Sequence, residues 1–172
     1  LSTGVYQTQG VTPSISPSMD IQVSSNFERA LFYAYGRDSG AVSQVMDELK
    51  RGGFHISQGA LEALREDFVS GRTSEADTSA MIARALPEMG ELLCPHSAVG
   101  VHVAQDFLGA TPLVTLATAH PAKFPDAVEA ASGIRPPLPP RMADLYDRPE
   151  RLTRVDNNLD DLKTLIRKEI AA

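Results

Sequence analysis

The stretch Pro112-Leu113-Val114-Thr115-Leu116-Ala117-Thr118-Ala119-His120-Pro121-Ala122-Lys123-Phe124 decides the fold class. Its first six residues form an apolar run without strict alternation, the pattern of a strand covered on both faces in a parallel sheet. A helix is expected from about Pro121 to Ala131, stopped by Gly133. Strand, turn and helix make half of an α/β unit, and a single central strand cannot form a sheet by itself. Its partner strands must come largely from elsewhere, so the chain reads as a piece of something larger. The start points the same way: there is no initiator Met, and strand-like Val5-Tyr6-Gln7 follows almost at once.

Outward from this stretch the pattern is mostly helical. Ser16-Pro17-Ser18-Met19-Asp20-Ile21 reads as a turn leading into an extended segment. In Ser25-Asn26-Phe27-Glu28 a Ser precedes Glu at capping-box spacing, and Phe27, Leu31 and Tyr35 then share a face, which predicts a helix over about 26–35. Val42, Val45, Met46 and Leu49 mark a second helix, ended by Gly52-Gly53. Leu61, Leu64 and Phe68 mark a third. Ser74 begins a fourth, with Met81, Ile82 and Leu86 buried and Pro87 breaking it. The run from Ala98 to Leu108 is apolar on more than one side, predicting a deeply buried helix capped by Ser97. Arg135-Pro136-Pro137-Leu138-Pro139-Pro140-Arg141 should be extended polyproline II, and a final helix is capped near Asn158 with Leu159, Leu162 and Ile166 on one face.

Composition narrows the function classes. A formal net charge of −6 argues against binding a nucleic-acid backbone, which needs clustered Lys and Arg. No apolar run is long enough to span a bilayer and no signal core is visible, so no membrane partner is expected and the cytoplasm is the expected compartment. Cys94 is the sole cysteine, which excludes an internal disulfide or a multi-thiolate metal site.

Two places carry candidate chemistry. Ser24-Ser25-Asn26-Phe27-Glu28-Arg29 sets two hydroxyls, an amide and a guanidinium around a helix N-terminus, a natural site for an anion. An ordinary cap with a surface arginine is the plainer alternative. Thr118 follows the carboxyl end of the expected strand, where open α/β sheets bind ligands, and its hydroxyl can face a neutral ring nitrogen without forcing protonation. Here the alternative is a turn in which Thr118 or His120 caps the helix. Lys123 fits a solvated first-turn residue better than a desolvated amine nucleophile. Cys94 and His96 as a catalytic pair are disfavoured, since such pairs meet through the fold rather than in sequence. His55 and His102 read as structural residues.

Taken together, Ser16-Pro17-Ser18-Met19-Asp20-Ile21, Ser24-Ser25-Asn26-Phe27-Glu28-Arg29, Pro95-His96-Ser97-Ala98-Val99-Gly100 and Thr118-Ala119-His120-Pro121-Ala122-Lys123-Phe124 resemble the ordered blocks of the threonine synthase family. The resemblance runs from about Thr3 to Gly133. It implies an α/β fold, the C-terminal part of a tryptophan-synthase-like (fold type II) enzyme dependent on pyridoxal 5'-phosphate (PLP), mostly helical here with few strands. It further implies residues 1–35 as a segment of the PLP-binding large domain, 36–93 as a helical subdomain, 94–133 as a returning α/β segment and 134–172 as a proline-rich linker and C-terminal helix. The implied reaction converts O-phospho-L-homoserine and water to L-threonine and phosphate.

By the same resemblance Thr118 is the partner of the cofactor's pyridine nitrogen, while Ser24, Ser25, Asn26 and Arg29 line the substrate pocket. Cys94 stands where relatives often have an acidic residue. The cofactor-linking lysine and the glycine-rich loop for the cofactor phosphate belong to an N-terminal block that this sequence does not contain. No catalytic residue is therefore expected in this chain; the missing N-terminal portion is its expected partner, and the parent is expected to be monomeric. Two other readings compete: an interaction module docking through residues 135–141, and a related PLP lyase such as threonine dehydratase.

Overall fold

The structure, a computed structural model, describes residues 1–171. It divides into two compact units, Leu1–Pro137 and Leu138–Ala172. Among the described residues it contains two short strands and seven α-helices. No helix among them is long and apolar enough to cross a membrane.

In the first unit, β1 (Val5–Gln7) pairs antiparallel with β2 (Gly53–His55), with Tyr6 opposite Phe54. The second strand corrects the expectation that Gly52-Gly53 only ends a helix. Gly53 has φ 156°, and a Cβ there would lie 2.5 Å from the Tyr6 carbonyl oxygen. Its missing side chain is what lets the two backbones meet.

Helices α1 (Ser25–Ala34), α2 (Ser39–Lys50) and α3 (Gln58–Asp67) close over this strand pair. Leu31, Val45, Leu49, Phe54, Ile56, Ala60 and Leu64 form their core, with Phe27 and Tyr35 packed against it. The four-residue spacing in α1 thus buries the face it predicted. The capping box is absent: Ser24 occupies the cap and Ser25 is already helical, so the Ser25-to-Glu28 spacing does not frame the helix start.

A second core forms from Met81, Ile82, Ala98 and Val128, contributed by α4 (Glu75–Met89), α5 (Pro95–Ala104) and α6 (Pro125–Ser132). Ser74 caps α4 by accepting the Asp77 amide. Pro87 lies inside α4 instead of ending it; only two residues follow, so its missing N–H removes at most one bond near the helix end. Phe124 interrupts the expected helix from Pro121, giving a 3-10 turn over Pro121–Lys123 before α6.

The 112–118 stretch is not a strand here. It has no regular secondary structure and no sheet partner among the described residues, and Val114 is 82% and Leu116 75% exposed. Neither β1 nor β2 runs beside it, so nothing within the described residues supplies the ladder that its pattern requires. The same holds for α5. Only its first turn is buried, and Phe107 and Leu108 beyond it are exposed, against the expectation of a deeply buried helix.

The second unit carries two 3-10 turns, Pro140–Met142 and Leu145–Asp147, and α7 (Leu159–Ile170). Asn158 caps α7 by accepting the Asp160 and Asp161 amides. Leu159, Leu162 and Ile166 lie exposed along it.

Candidate functional site

The candidate site is built where the N-terminus of α5 meets the 112–118 stretch. Cys94, not Ser97, caps α5: its Sγ accepts the Ser97 amide at 3.4 Å. A buried thiol is a weak acceptor, which is why the serine looked the better cap in sequence. Ser97 is thereby free for another task. Its Oγ lies 3.3 Å from Cys94 Sγ and accepts the Thr118 backbone N–H at 3.2 Å. One turn on, Gly100 lets the Thr115 side chain approach, since a Cβ there would stand 3.3 Å from Thr115 Cγ2. Thr118 itself is exposed, and its hydroxyl makes no hydrogen bond to the described residues. A cavity of about 690 Å³ lies beside it, lined by Cys94, Ser97, Thr115, Ala117, His120 and Pro136 among others.

His96 gathers three of the four sequence blocks. It is 6% exposed, its Nε2 accepts the Ser18 amide at 3.0 Å, and its ring centroid lies 4.6 Å from that of Phe124. Accepting at Nε2 puts the proton of the neutral ring on Nδ1, which is buried without a partner among the described residues. Burial pushes the His96 pKa below the usual histidine value, and the nearby Lys123 ammonium adds to this, against a smaller upward pull from Asp20. The Ser18 turn is itself braced, because Asp20 accepts both the amide and the hydroxyl of Ser14. His96 was legible only as part of a motif; its role needed contacts across 78 residues.

At α1 the four candidate residues fall on two sides of the helix. Ser25 and Arg29 line a cavity of about 520 Å³ between α1 and α2, together with Glu28, Tyr33, Ser39 and Ser43. Ser24 and Asn26 line a different one beside α3, with Phe27 and Leu64. Ser24 makes no side-chain cap bond, so no cap hydroxyl occupies the first amides of α1. Tyr6 fixes this helix start: its hydroxyl donates to the Gln22 carbonyl at 2.9 Å and accepts the Ser24 amide at 3.1 Å, while its ring stacks on Phe27. Sequence reasoning saw Tyr6 only as a strand residue.

The remaining motif residues settle into plain positions. His120 caps the 3-10 turn, its Nδ1 accepting the Ala122 amide, while neither His120 nor Thr118 caps α6, whose cap position is Phe124. Lys123 is exposed, with Nζ 5.5 Å from the Phe124 ring centroid. Arg135 pairs with Asp126 and Glu129 of α6, and Pro136 is buried, so the start of the proline-rich segment lies against the body rather than open for docking. Among the described residues no cluster of His, Cys, Asp or Glu could hold a metal ion.

Comparison with known proteins places these features. The family model "Threonine synthase, C-terminal" matches residues 97–166. Threonine synthase of Pseudomonas aeruginosa is 42% identical over 170 residues, which is 96% of this chain and 36% of the relative. The crystal structure of PLP-bound threonine synthase from Brucella melitensis matches 99% of this chain and 37% of its own, at 49% identity and a TM-score of 0.88. Threonine synthase from yeast matches 99% of this chain and 39% of its own, at 30% identity and a TM-score of 0.78. The chain thus spans a little over a third of the length of these relatives, and it shares the fold of that part of them.

Proposed function

This chain belongs to the threonine synthase family, and from that premise we propose that it forms the C-terminal part of an enzyme converting O-phospho-L-homoserine and water to L-threonine and phosphate with PLP. Segments 1–35 and 94–133 belong to the cofactor-binding domain of that enzyme, 36–93 to its helical subdomain and 134–172 to a linker and closing helix. The lysine that links the cofactor and the loop that holds its phosphate come from the part of the enzyme outside this chain. We assign the whole enzyme to the cytoplasm as a soluble monomer.

The observation that carries this reading is Thr118: its backbone is held by Ser97, while its hydroxyl is exposed and pairs with none of the described residues. That donor set fits one edge of PLP. A neutral hydroxyl can hydrogen-bond a pyridine nitrogen without demanding its protonation, as a carboxylate would. When bound, the cofactor supplies an electron sink for the substrate carbon skeleton. The chain's own part is to bind and orient. Thr118 holds the ring nitrogen, and the apolar 112–117 stretch enters a sheet completed by the rest of the enzyme. Arg29 and Ser25 offer charged and neutral donors to the substrate phosphate at the start of α1.

The test is a PLP titration followed by visible absorbance, with phosphate release from O-phospho-L-homoserine as the second readout. Neither binding nor turnover by this chain alone, and both on adding the N-terminal portion, is the expected result. Saturable binding with turnover by this chain alone would make an internal lysine, Lys123 first, the catalytic one and sink the assignment. Turnover of threonine in place of O-phospho-L-homoserine would move the enzyme to the dehydratases.

A further inference from the structure

We propose that Ser97 is the positioning residue for Thr118, holding its backbone so that the Thr118 hydroxyl stays aimed at the cofactor ring; this rests on the assignment of Thr118 made above. The Ser97–Thr118 bond is the one hydrogen bond that residues 112–119 make to the described residues. In the complete enzyme the proposed sheet holds 112–117, and Thr118 lies one residue past it. The Ser97 bond therefore acts on the residue beyond the ladder, where the position of the backbone amide sets where the hydroxyl stands.

Ser97 is suited to the task. It is 3% exposed, in the first turn of α5, where its own amide is occupied by Cys94 Sγ. Its Oγ, close to the same sulfur, therefore has little rotational freedom and presents an acceptor to Thr118. Close approach at Gly100 seats Thr115 three residues before Thr118 and limits sliding of the segment along α5. The small faces of Ser97 and Gly100, one turn apart, form the bed on which the cofactor residue rests. Cys94 acts behind them by fixing the Ser97 rotamer.

The experiment uses the complete enzyme that carries this chain, with variants Ser97→Ala, Ser97→Thr, Thr118→Val and Ser97→Ala combined with Thr118→Val. Two quantities are read: hydrogen exchange of the peptide spanning 115–119 in the cofactor-free enzyme, and the PLP dissociation constant from fluorescence titration. Ser97→Ala should speed exchange in that peptide and weaken PLP about fivefold, the size of one lost hydrogen bond. Ser97→Thr keeps the hydroxyl and should restore both, separating positioning from a folding defect.

In the Thr118→Val background, Ser97→Ala should add less than about twofold to the PLP dissociation constant, because the side chain it positions is already gone. An unchanged exchange rate in Ser97→Ala overturns the inference. So does an equal loss of PLP affinity with and without Thr118, which would mean that Ser97 acts on the fold at large. If Thr118→Val leaves PLP binding intact, the Thr118 assignment itself falls, and the inference falls with it.

Discussion

Ser18 donates its backbone N–H to His96 Nε2 across 3.0 Å, joining residues 78 positions apart. The bond exists only while the imidazole is neutral, because the protonated ring has no acceptor. Phe124 lies against the same ring, so the tautomer of one histidine links the Ser18 turn, α5 and the turn before α6.

The first prediction concerns pH. The folded pKa of His96 lies below its ordinary value of 6.5. The unfolded chain therefore binds the proton more readily, and stability rises with pH through this window. The contribution of His96 is complete above about 6.5 and is lost as pH falls toward the folded pKa. Lys123 and Asp20 face the ring with opposite effects, burial being the largest cause. Melting curves between neutral and mildly acid pH should show this loss in the parent. In His96→Gln, which keeps an acceptor and removes the titration, the acid sensitivity should be smaller. Identical pH profiles for the two would show that His96 does not titrate in the folded state's favour.

Arg29 gives a second prediction. It lines a cavity with Ser25, Ser39 and Ser43, but Glu28 is there as well, so a bound phosphate must be held against a neighbouring carboxylate. Loss of the guanidinium leaves that carboxylate unopposed. Arg29→Ala in the complete enzyme should lower kcat/KM for O-phospho-L-homoserine about 10- to 100-fold, the range for a charge-assisted hydrogen bond. Arg29→Lys should recover part of it, because a point charge replaces a two-pronged donor. Unchanged kcat/KM in Arg29→Ala would return this arginine to the surface role that sequence alone left open.

Gly53 gives a third. Any Cβ at this position collides with the Tyr6 carbonyl, at 2.5 Å, and the φ of 156° is strained for an L side chain. Gly53→Ala should cost about 1–3 kcal/mol in urea unfolding. Because Tyr6 also holds Ser24, its displacement should raise hydrogen exchange at the start of α1. Gly52→Ala is the control for strain without collision, since nothing stands within 4 Å of a Cβ there. Equal costs for the two would show that backbone strain, not closeness to β1, is what Gly53 relieves.

How much of this was legible depended on range. The faces of α1, α2 and α4 were, because Leu31, Val45 and Met81 recur with helical spacing that any amphipathic helix must show. The Asn158 cap was legible too, being a contact over two and three residues. β2 was not, since a three-residue strand that starts on the second glycine of a pair carries no period, and its strand character comes entirely from β1 nearly fifty residues earlier. Thr118 and Arg29 are proposed from residue type and family resemblance. Ser97, which holds Thr118, and Tyr6, which holds Ser24 at the start of α1, were assigned to other tasks, because the atoms they hold are backbone amides that sequence leaves anonymous.

Leu116 supplies the last prediction, and it turns the unpartnered 112–117 run into a measurement. The residue belongs to an apolar run of the kind buried on both faces of a parallel sheet, yet it is 75% exposed here. Ile82, at 0% exposure, is fully buried within this chain. Ile82→Ala should therefore cost about 2–5 kcal/mol whether the chain is unfolded alone or within the complete enzyme. Leu116→Ala should cost less than about 0.5 kcal/mol in the chain alone, as for an exposed side chain. In the complete enzyme the proposed sheet would close around it, and the cost should rise to about 2 kcal/mol or more. Urea unfolding of both variants in both settings decides the matter. A Leu116→Ala cost that stays small in the complete enzyme would mean that the 112–117 stretch never enters a sheet, and that the apolar run serves a surface.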